Sequence, residues 1–222
     1  EREKHKEDIS VAYGVWCGLS KETAHQLGTP ISSLMAWTEL LKSEYPSDGL
    51  IPCMAEDVAR LQMIANRFSK IGSAPEMEEV DLRILLKEVT EYIAHRTSDK
   101  VKIVTHLPET SVTLPLNASL FGWVIENLCK NAIDAMDGVG RITISVTDSS
   151  NRWYIDVEDT GKGIIKSKHQ TVFTPGYTTK KRGWGLGLSL ARRIVEEYHS
   201  GRIFVKQSEL NKGTVFRIEL KK

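Results

Sequence analysis

The first 70 residues carry a repeat that leaves few choices of fold. Apolar and small side chains recur at alternating steps of four and three residues, with one extra step of four between Leu27 and Ile31. This spacing is typical of a heptad seam with a stutter, on a long helix of a coiled bundle. The seam positions of this first helix are Ile9, Tyr13, Trp16, Ser20, Thr23, Leu27, Ile31, Leu34, Thr38 and Leu41.

A second seam follows a dense group of turn-forming residues. Tyr45-Pro46-Ser47-Asp48-Gly49 predicts a reversal of the chain. Two amphipathic helices joined by a short turn form an αα-hairpin, which cannot bury both of its apolar faces alone. We therefore predict that residues 1–72 pair with a second copy, giving a homodimer held by a four-helix bundle. The second seam consists of Ile51, Met54, Val58, Leu61, Ala65 and Phe68.

The pattern changes beyond residue 72. Residues 73–80 are predicted to be a linker, and residues 81–222 a second domain. Asp81 is a candidate N-cap for a helix that ends at about His95, and Asn117 for a helix that ends at Ala135. Strands mixed with these helices indicate a two-layer α/β sandwich. The predicted strands are 102–107, 112–116, 141–147, 153–158, 202–207 and 214–220, with a further helix at 186–198.

Composition and charge exclude several classes of function. The 222 residues are 41% hydrophobic and 27% charged, which is typical of a soluble globular protein, and the formal net charge of +1 gives no indication of nucleic-acid binding. No apolar run approaches the roughly 18 residues of a membrane span, and no signal-peptide pattern is present. Cys17, Cys53 and Cys129 lack zinc-site spacing and indicate free thiols in a reducing, cytoplasmic compartment.

Seven short motifs follow one another in an order that is more informative than any one of them. A histidine ahead of Gly-Thr-Pro comes first, an Asn-bearing helix second, and a series of glycine-rich stretches after it. In this order they resemble the catalytic core of the sensor histidine kinases of two-component signalling, over nearly the whole chain. The motifs are His25–Pro30, Glu126–Ala132, Asp159–Gly163, Phe173–Gly176, Thr178–Lys180, Gly183–Leu188 and Gly213–Thr214.

The resemblance implies a site for ATP and Mg²⁺ in the second domain, under a mobile lid. It implies that Asn131 helps to hold Mg²⁺ and that the carboxylate of Asp159 accepts a hydrogen bond from the adenine amino group. Thr214 is expected near the adenine, and Lys180 near the phosphates. The full set of implied nucleotide-binding residues is Asn127, Asn131, Asp159, Gly161, Gly163, Phe173, Thr179, Lys180, Gly183, Gly185, Gly187, Leu188 and Thr214.

His25 is the candidate nucleophile among the six histidines. It lies two residues from the seam positions Thr23 and Leu27, about 200° around the helix, and is therefore predicted to face solvent. An imidazole that is largely neutral near pH 7 can attack a phosphorus atom. Pro30 lies five positions on and removes one helical hydrogen bond, which weakens the helix locally.

The residue after this histidine departs from the family pattern. Most members have Glu or Asp at this position, whereas this chain has Gln26. An amide can orient the imidazole ring but cannot accept its proton, so Glu22, at i−3 on the same helical face, is a competing candidate for the base. Thr29 matches the family position that is linked to dephosphorylation of the partner. Gln26 and Thr29 are together candidates for holding an attacking water.

The Asn-bearing helix distinguishes a kinase from an ATPase. ATPases of the related gyrase, chaperone and mismatch-repair type have a Glu at the position of Asn127, and this Glu activates water. Asn127 cannot accept a proton, and Glu126 is turned by about 100°. The site is therefore predicted to bind ATP without hydrolysing it. Asp134 stands where several family members have a basic phosphate ligand, which leaves more of the phosphate charge to Mg²⁺ and the lid.

The leading prediction is a protein-histidine kinase that phosphorylates itself on His25 and then donates the phosphoryl group to an aspartate of a response-regulator receiver domain. Phosphatase activity towards that regulator stays open. An ATP-binding but kinase-inactive scaffold is one alternative, and an ATPase of the same superfamily is a weaker one. The resemblance also implies upstream input and membrane segments, so that this chain is expected to be the cytoplasmic portion of a membrane-associated sensor.

Overall fold

The chain divides into two compact units, and the division falls between Pro75 and Glu76. The computed structural model describes residues 26–70, 75–180 and 185–222. Within the described residues, no helix combines the length and the apolar character that a membrane span requires.

The first unit contains two helices joined by the predicted turn. Helix α1 occupies residues 26–44 of the described chain, and helix α2 is Leu50–Lys70. The backbone N–H of Tyr45 donates to the carbonyl of Leu41 at 2.7 Å, and the carboxylate of Asp48 accepts from the N–H of Leu50 at 2.9 Å. Asp48 thus satisfies a donor at the start of α2 that has no partner within the helix.

The two seams are only partly buried within this unit. The buried seam residues are Ile31, Thr38, Ile51, Val58 and Ala65, and three of them, Ile31, Val58 and Ala65, form one apolar cluster. Alternate seam positions remain open to solvent, namely Leu27, Leu34, Met54 and Leu61. A heptad seam presents more apolar surface than one facing helix covers, so these four positions have no cover from the described residues of the unit.

The second unit is the two-layer α/β sandwich that the sequence predicts. Its helices are α3 (Leu82–Ala94), α4 (Ala118–Ala135) and α5 (Gly187–Arg193), the last continued by a single π-helical turn, Ile194–Tyr198. Its strands are β1 (Glu78–Asp81), β2 (Val101–His106), β3 (Thr113–Leu116), β4 (Gly140–Ser149), β5 (Arg152–Asp159), β6 (Arg202–Glu209) and β7 (Gly213–Lys221).

One five-stranded sheet forms the floor of this unit, in the order β2-β4-β5-β7-β6. Strands β2 and β4 are parallel, and every other neighbouring pair is antiparallel. Helices α3, α4 and α5 cover one face of the sheet, and fully buried side chains such as Phe121, Ile142 and Ile155 fill the space between the layers. The burial of such side chains is the main stabilising contribution to this fold.

Two local features differ from the sequence prediction. Residues 78–80, predicted to belong to the linker, form strand β1 with Asp81 and pair with β3 in a separate two-stranded sheet. The polar sequence Glu78-Glu79-Val80-Asp81 gives no strand signal by itself, and only pairing with β3 makes it a strand. The predicted helix at 186–198 begins at Gly187 and ends in a π turn, where the N–H of His199 donates to the carbonyl of Ile194.

The start of α4 is held by one residue, Asn117, which makes hydrogen bonds through both its side chain and its backbone. Asn117 accepts a hydrogen bond from the N–H of Leu120 at 3.0 Å, as an N-cap does, and its amide nitrogen donates to the carbonyl of Glu76 at 2.9 Å. Its own N–H donates to Nε2 of His199 at 3.1 Å. Burial lowers the pKa of His199, although a hydrogen bond to the carbonyl of Ile194 opposes this, so the neutral ring that accepts from Asn117 is favoured.

We predict that Asn117→Ala lowers the free energy of unfolding of the second unit by about 1–2 kcal/mol, because it removes the cap of α4 and the tie to Glu76. Asn117→Asp keeps an acceptor for the cap and loses only the tie, so its loss should be smaller. Urea unfolding followed by circular dichroism measures both. Equal losses for the two variants would show that the cap contributes nothing.

Candidate functional site

Asp159 is the centre of the predicted adenine end of the site. It is the last residue of β5, only 4% exposed, and its Oδ1 accepts from the N–H of Gly161 at 2.8 Å. The N–H of Thr214, its register partner on β7, also donates to this carboxyl. Burial raises the pKa of Asp159, and these two hydrogen bonds oppose the rise only in part. A buried carboxylate with spare lone pairs is a strong acceptor for an amino group.

The loop after β5 is fixed against the turn between β6 and β7. Gly163 has a φ of 72°, and a Cβ atom at this position would lie 2.2 Å from the carbonyl oxygen of Glu209. Only glycine combines this conformation with this close approach. Ser208 holds the same junction, since its hydroxyl accepts from the N–H of Ile164 at 2.7 Å and lies 2.9 Å from the hydroxyl of Thr214.

The two amides of α4 lie one turn apart on one face of the helix, as their i, i+4 spacing requires. The Nδ2 atom of Asn127 is shielded from solvent and has no hydrogen-bond partner within the described parts of the chain. A Cβ atom at Gly187 would lie 3.5 Å from Oδ1 of Asn127, which places the start of α5 directly beside this amide. A buried donor without a partner is costly, and a bound phosphate or carbonyl oxygen would satisfy it.

Asn131 is already in contact with a cation. Its Oδ1 accepts from Nζ of Lys180 at 2.9 Å, and the same ammonium lies 2.5 Å from Oδ2 of Asp134. This amide oxygen is therefore placed to bind a positive charge, and amide oxygens belong to the ligand types that Mg²⁺ accepts. Asn131 thus fits the predicted role of metal ligand, Lys180 fits a predicted contact to the phosphates, and Asn127 fits the role of a nucleotide-binding residue. Mg²⁺ bound here would neutralise phosphate charge.

Phe173 lies in the core rather than on the open surface of the site. It is buried, its ring packs edge-to-face on Phe216, and the guanidinium of Arg192 lies 4.1 Å from its ring centroid. Its position suits an anchor for the start of the lid segment. Farther along the chain, the N–H of Gly176 donates to the carbonyl of Gly185 at 3.0 Å, which links two parts of the lid.

The other predicted residues fall into two groups. His25 and Gly183 lie outside the described residues. The remaining nucleotide residues surround the site already described: Thr179 is exposed in the lid beside Lys180, Gly185 and Gly187 lead into α5, and Leu188 is half-buried in its first turn.

The predicted phosphoacceptor segment belongs to the first unit. Gln26 and Thr29 are exposed on α1, and the helix continues through Pro30. Beyond the proline, the hydroxyl of Ser32 donates to the carbonyl of Gly28 at 2.8 Å, and that of Ser33 donates to the carbonyl of Thr29 at 3.2 Å. Side-chain hydroxyls that bond back to helix carbonyls compete with the helical hydrogen bonds and favour bending.

Sequence reasoning missed three features of this arrangement. Ser208, Arg192 and the pairing of Asp134 with Lys180 have no local signal, because serines, arginines and aspartates at these positions are ordinary surface residues in the sequence. Their roles depend on segments that only the fold brings together. The contact between Lys180 and Asp134 joins residues 46 positions apart.

Comparison with known proteins shows which family has this arrangement. Residues 117–222 match the family model described as histidine kinase-, DNA gyrase B-, and HSP90-like ATPase. The sensor histidine kinase ZraS of Salmonella typhi is 30% identical over 225 residues, which are 98% of this chain and 47% of that protein. Sporulation kinase C of Bacillus subtilis is 27% identical over 207 residues, which are 91% of this chain and 48% of that protein.

Solved structures of histidine kinases are also similar to this chain. The catalytic domain of histidine kinase ThkA in a nucleotide-free form is 29% identical, with a TM-score of 0.60, and the match covers 66% of this chain and 96% of that domain. Over nearly its whole length, the chain is similar to histidine kinases. Most of its second unit, residues 117–222, matches the ATPase family model, and the chain spans about half the length of the curated relatives it matches.

More distant structures share the fold of the kinase core. Full-length ShkA in complex with AMPPNP is 20% identical with a TM-score of 0.67, over 91% of this chain and 45% of that chain. ThkA in complex with the response regulator protein TrrA is 21% identical with a TM-score of 0.63, over 100% of this chain and 66% of that chain.

The second unit contains two buried aspartates on β5 whose pKa values shift in opposite directions. Asp156 points to the other face of the strand from Asp159, and receives hydrogen bonds from Arg217 at 2.7 Å and from Lys206 at 2.9 Å. Burial would raise the pKa of Asp156, but these hydrogen bonds outweigh it and lower the pKa. Asp156 is therefore stabilised as a charge within the fold, whereas Asp159 is not.

We predict that Asp159→Asn weakens ADP binding about tenfold or more, because the charged acceptor for the adenine is lost. Its raised pKa means that Asp159 contributes stability below its unfolded pKa and loses it as the pH rises through its folded pKa. At pH 7 the neutral Asn therefore leaves the midpoint of thermal unfolding of the nucleotide-free protein unchanged or raises it. Calorimetric titration with ADP and thermal unfolding measure the two effects.

Asp156→Asn is the matched control, three residues away on the opposite face of β5. It should leave ADP binding unchanged and lower the unfolding midpoint at pH 7. The stability that Asp156 contributes is present above its unfolded pKa and is lost as the pH falls through the lowered folded pKa, so the deficit of Asp156→Asn should shrink in acid. If both variants lose ADP binding equally, Asp159 has no special role.

Proposed function

We propose that this chain is an active protein-histidine kinase, which transfers the γ-phosphoryl group of ATP to His25 and then to an aspartate of a response-regulator receiver domain. The observation that carries the proposal is the buried, unpartnered Nδ2 of Asn127 beside Asn131. A donor at this place serves a bound nucleotide, and neither amide can activate water as a base. The arrangement therefore favours transfer to a positioned side chain over hydrolysis.

The proposed reaction uses the site from its adenine end to its phosphate end. Asp159 orients the adenine, and Asn127 and Lys180 meet the phosphates, while Asn131 holds Mg²⁺. A nitrogen of the His25 imidazole forms a bond to the γ-phosphorus, the bond to the β–γ bridging oxygen breaks, and ADP leaves. The imidazole must lose a proton, and Gln26 cannot accept it, so Glu22 or solvent is the base.

The same chain offers the parts for dimerisation and for the second transfer. The open seam positions of α1 and α2 suit a homodimer in which residues 1–72 form a four-helix bundle, with the residues ahead of strand β1 as the connection to the second unit. The solved complex of ThkA with the response regulator protein TrrA supports a receiver domain as partner. Thr29 and Gln26, both exposed on α1, are the proposed residues for holding water in a reverse, phosphatase reaction. We place this portion in the cytoplasm.

We predict that the wild-type chain incubated with Mg²⁺ and γ-labelled ATP acquires an acid-labile, base-stable label, as a phosphohistidine does. His25→Ala should lose the label and keep ADP binding, since the residues proposed to bind the adenine all belong to the second unit. His106→Ala, which removes an exposed histidine of β2, is the matched control and should retain the label. Undiminished labelling of His25→Ala would refute the assignment of the phosphoacceptor.

We predict that the chain sediments at about twice its mass of 25.0 kDa. Leu34→Glu and Leu61→Glu should each shift it to the monomer, because a charge on the open seam opposes burial against a second copy. Leu40 is equally apolar and 66% exposed but lies outside the repeat, so Leu40→Glu should leave the dimer intact. Equal dissociation by Leu40→Glu would place the dimer contact elsewhere, and a monomeric wild type at micromolar concentration would exclude the bundle.

A further inference from the structure

Lys180 makes the longest-range polar contact of the described part of the lid. Its ammonium joins two residues of α4, Asn131 and Asp134, which lie 49 and 46 positions earlier in the chain. The lid turn that carries it is ordered locally, since the N–H of Lys180 donates to the hydroxyl of Thr178 at 3.1 Å. Asn131 and Asp134 are spaced i, i+3 and share one face of α4, so one ammonium can contact both.

This contact occupies the atom that the metal needs. Oδ1 of Asn131 is the oxygen proposed to bind Mg²⁺, and here it accepts from the ammonium of Lys180 at 2.9 Å. Two cations repel each other strongly at the distance that a shared ligand imposes. Lys180 and Mg²⁺ therefore cannot both be held closely by Asn131, and one must leave before the other binds.

Asp134 supplies the attraction that holds Lys180 in this place. Its carboxylate lies 2.5 Å from the ammonium and both side chains are partly exposed, at 39% for Lys180 and 54% for Asp134. An ion pair with this exposure is weak, which suits a contact that must be broken by a ligand. The triphosphate of a nucleotide offers Lys180 several charged oxygens in exchange for one carboxylate.

We propose that Asp134 is a positioning residue that latches the lid in the nucleotide-free state, by holding Lys180 on Asn131 where Mg²⁺ binds later. Arrival of nucleotide and Mg²⁺ releases the latch, and Lys180 passes from Asp134 to the phosphates. This inference rests on the proposed nucleotide role of Asn131 and Lys180. An acidic side chain cannot bind phosphate directly. The proposed function of Asp134 is to hold Lys180.

The nucleotide-free state tests the latch without any assumption about catalysis. Backbone hydrogen exchange of residues 174–180 should become about two- to fivefold faster in Asp134→Asn and in Lys180→Met, the range that a partly exposed ion pair allows. The double variant should show no more than the larger single effect, because both changes remove the same contact. Asp137→Asn removes an equal charge just beyond α4, at an exposed position, and should exchange like the wild type.

Nucleotide binding tests the exchange of partners. With Mg²⁺ present, Asp134→Asn should bind ADP about two- to fivefold more tightly than the wild type, because no latch has to be broken, whereas Lys180→Met should bind it more weakly. Asp137→Asn should match the wild type. At saturating Mg²⁺ and ADP the exchange of residues 174–180 in Asp134→Asn should equal that of the wild type.

Each contrary result has a distinct meaning. Wild-type exchange in nucleotide-free Asp134→Asn, or additive effects in the double variant, would overturn the latch. Weakened ADP binding in Asp134→Asn would also overturn it, since Asp134 would then support Lys180 in the bound state. Equal tightening by Asp137→Asn would overturn it as well, by reducing the effect to general charge. Failure of the wild type to bind ADP would instead refute the proposed nucleotide function, whatever the exchange rates show.

Discussion

The proposed nucleotide site depends on the contact between the end of α4 and the loop that follows β5. The N–H of Lys162 donates to the carbonyl of Ala135 at 2.9 Å, and a Cβ atom at Gly161 would lie only 2.6 Å from that carbonyl. Glycine at this position lets the loop approach the helix end. The contact fixes Asp159, at the end of a strand, relative to Asn131, on the last turns of a helix. The proposed adenine and phosphate contacts lie at opposite ends of a nucleotide, and holding both ends would require such a rigid connection.

Strand β5 shows how one element serves both the fold and the site. Asp156 faces Arg217 and Lys206 and is stabilised as a charge, so that its ion pairs contribute to stability. Asp159 faces the proposed site, where burial disfavours its charge and, among the described residues, two backbone N–H groups compensate in part. A buried polar group whose hydrogen bonds within the protein do not offset its burial can be stabilised further by a hydrogen bond to a ligand. The same reasoning applies to the unpartnered amide of Asn127.

The helical unit also leaves groups without a partner that a binding partner could cover. Its seam buries Ile31, Val58 and Ala65 within one copy and leaves Leu34 and Leu61 open. The apolar surface left uncovered is the surface that a second copy would need. On α1, Pro30 and the back-bonded hydroxyl of Ser32 weaken the regular helical hydrogen bonding a few residues after the proposed phosphoacceptor in the sequence.

Periodicity and capping residues determined the elements of this protein from the sequence alone. The 4-3 repeat predicted the hairpin, Asp81 and Asn117 marked the starts of α3 and α4, and the order of the motifs indicated the family. These signals are local, since helix faces, caps and turns depend on near neighbours in the chain. The tertiary structure alone decided that Glu78–Asp81 is a strand, that Phe173 is an anchor in the core, and that Lys180 lies on Asn131 and Asp134. Those outcomes depend on pairing and packing between segments tens of residues apart, and no local pattern records which distant segment will supply the partner.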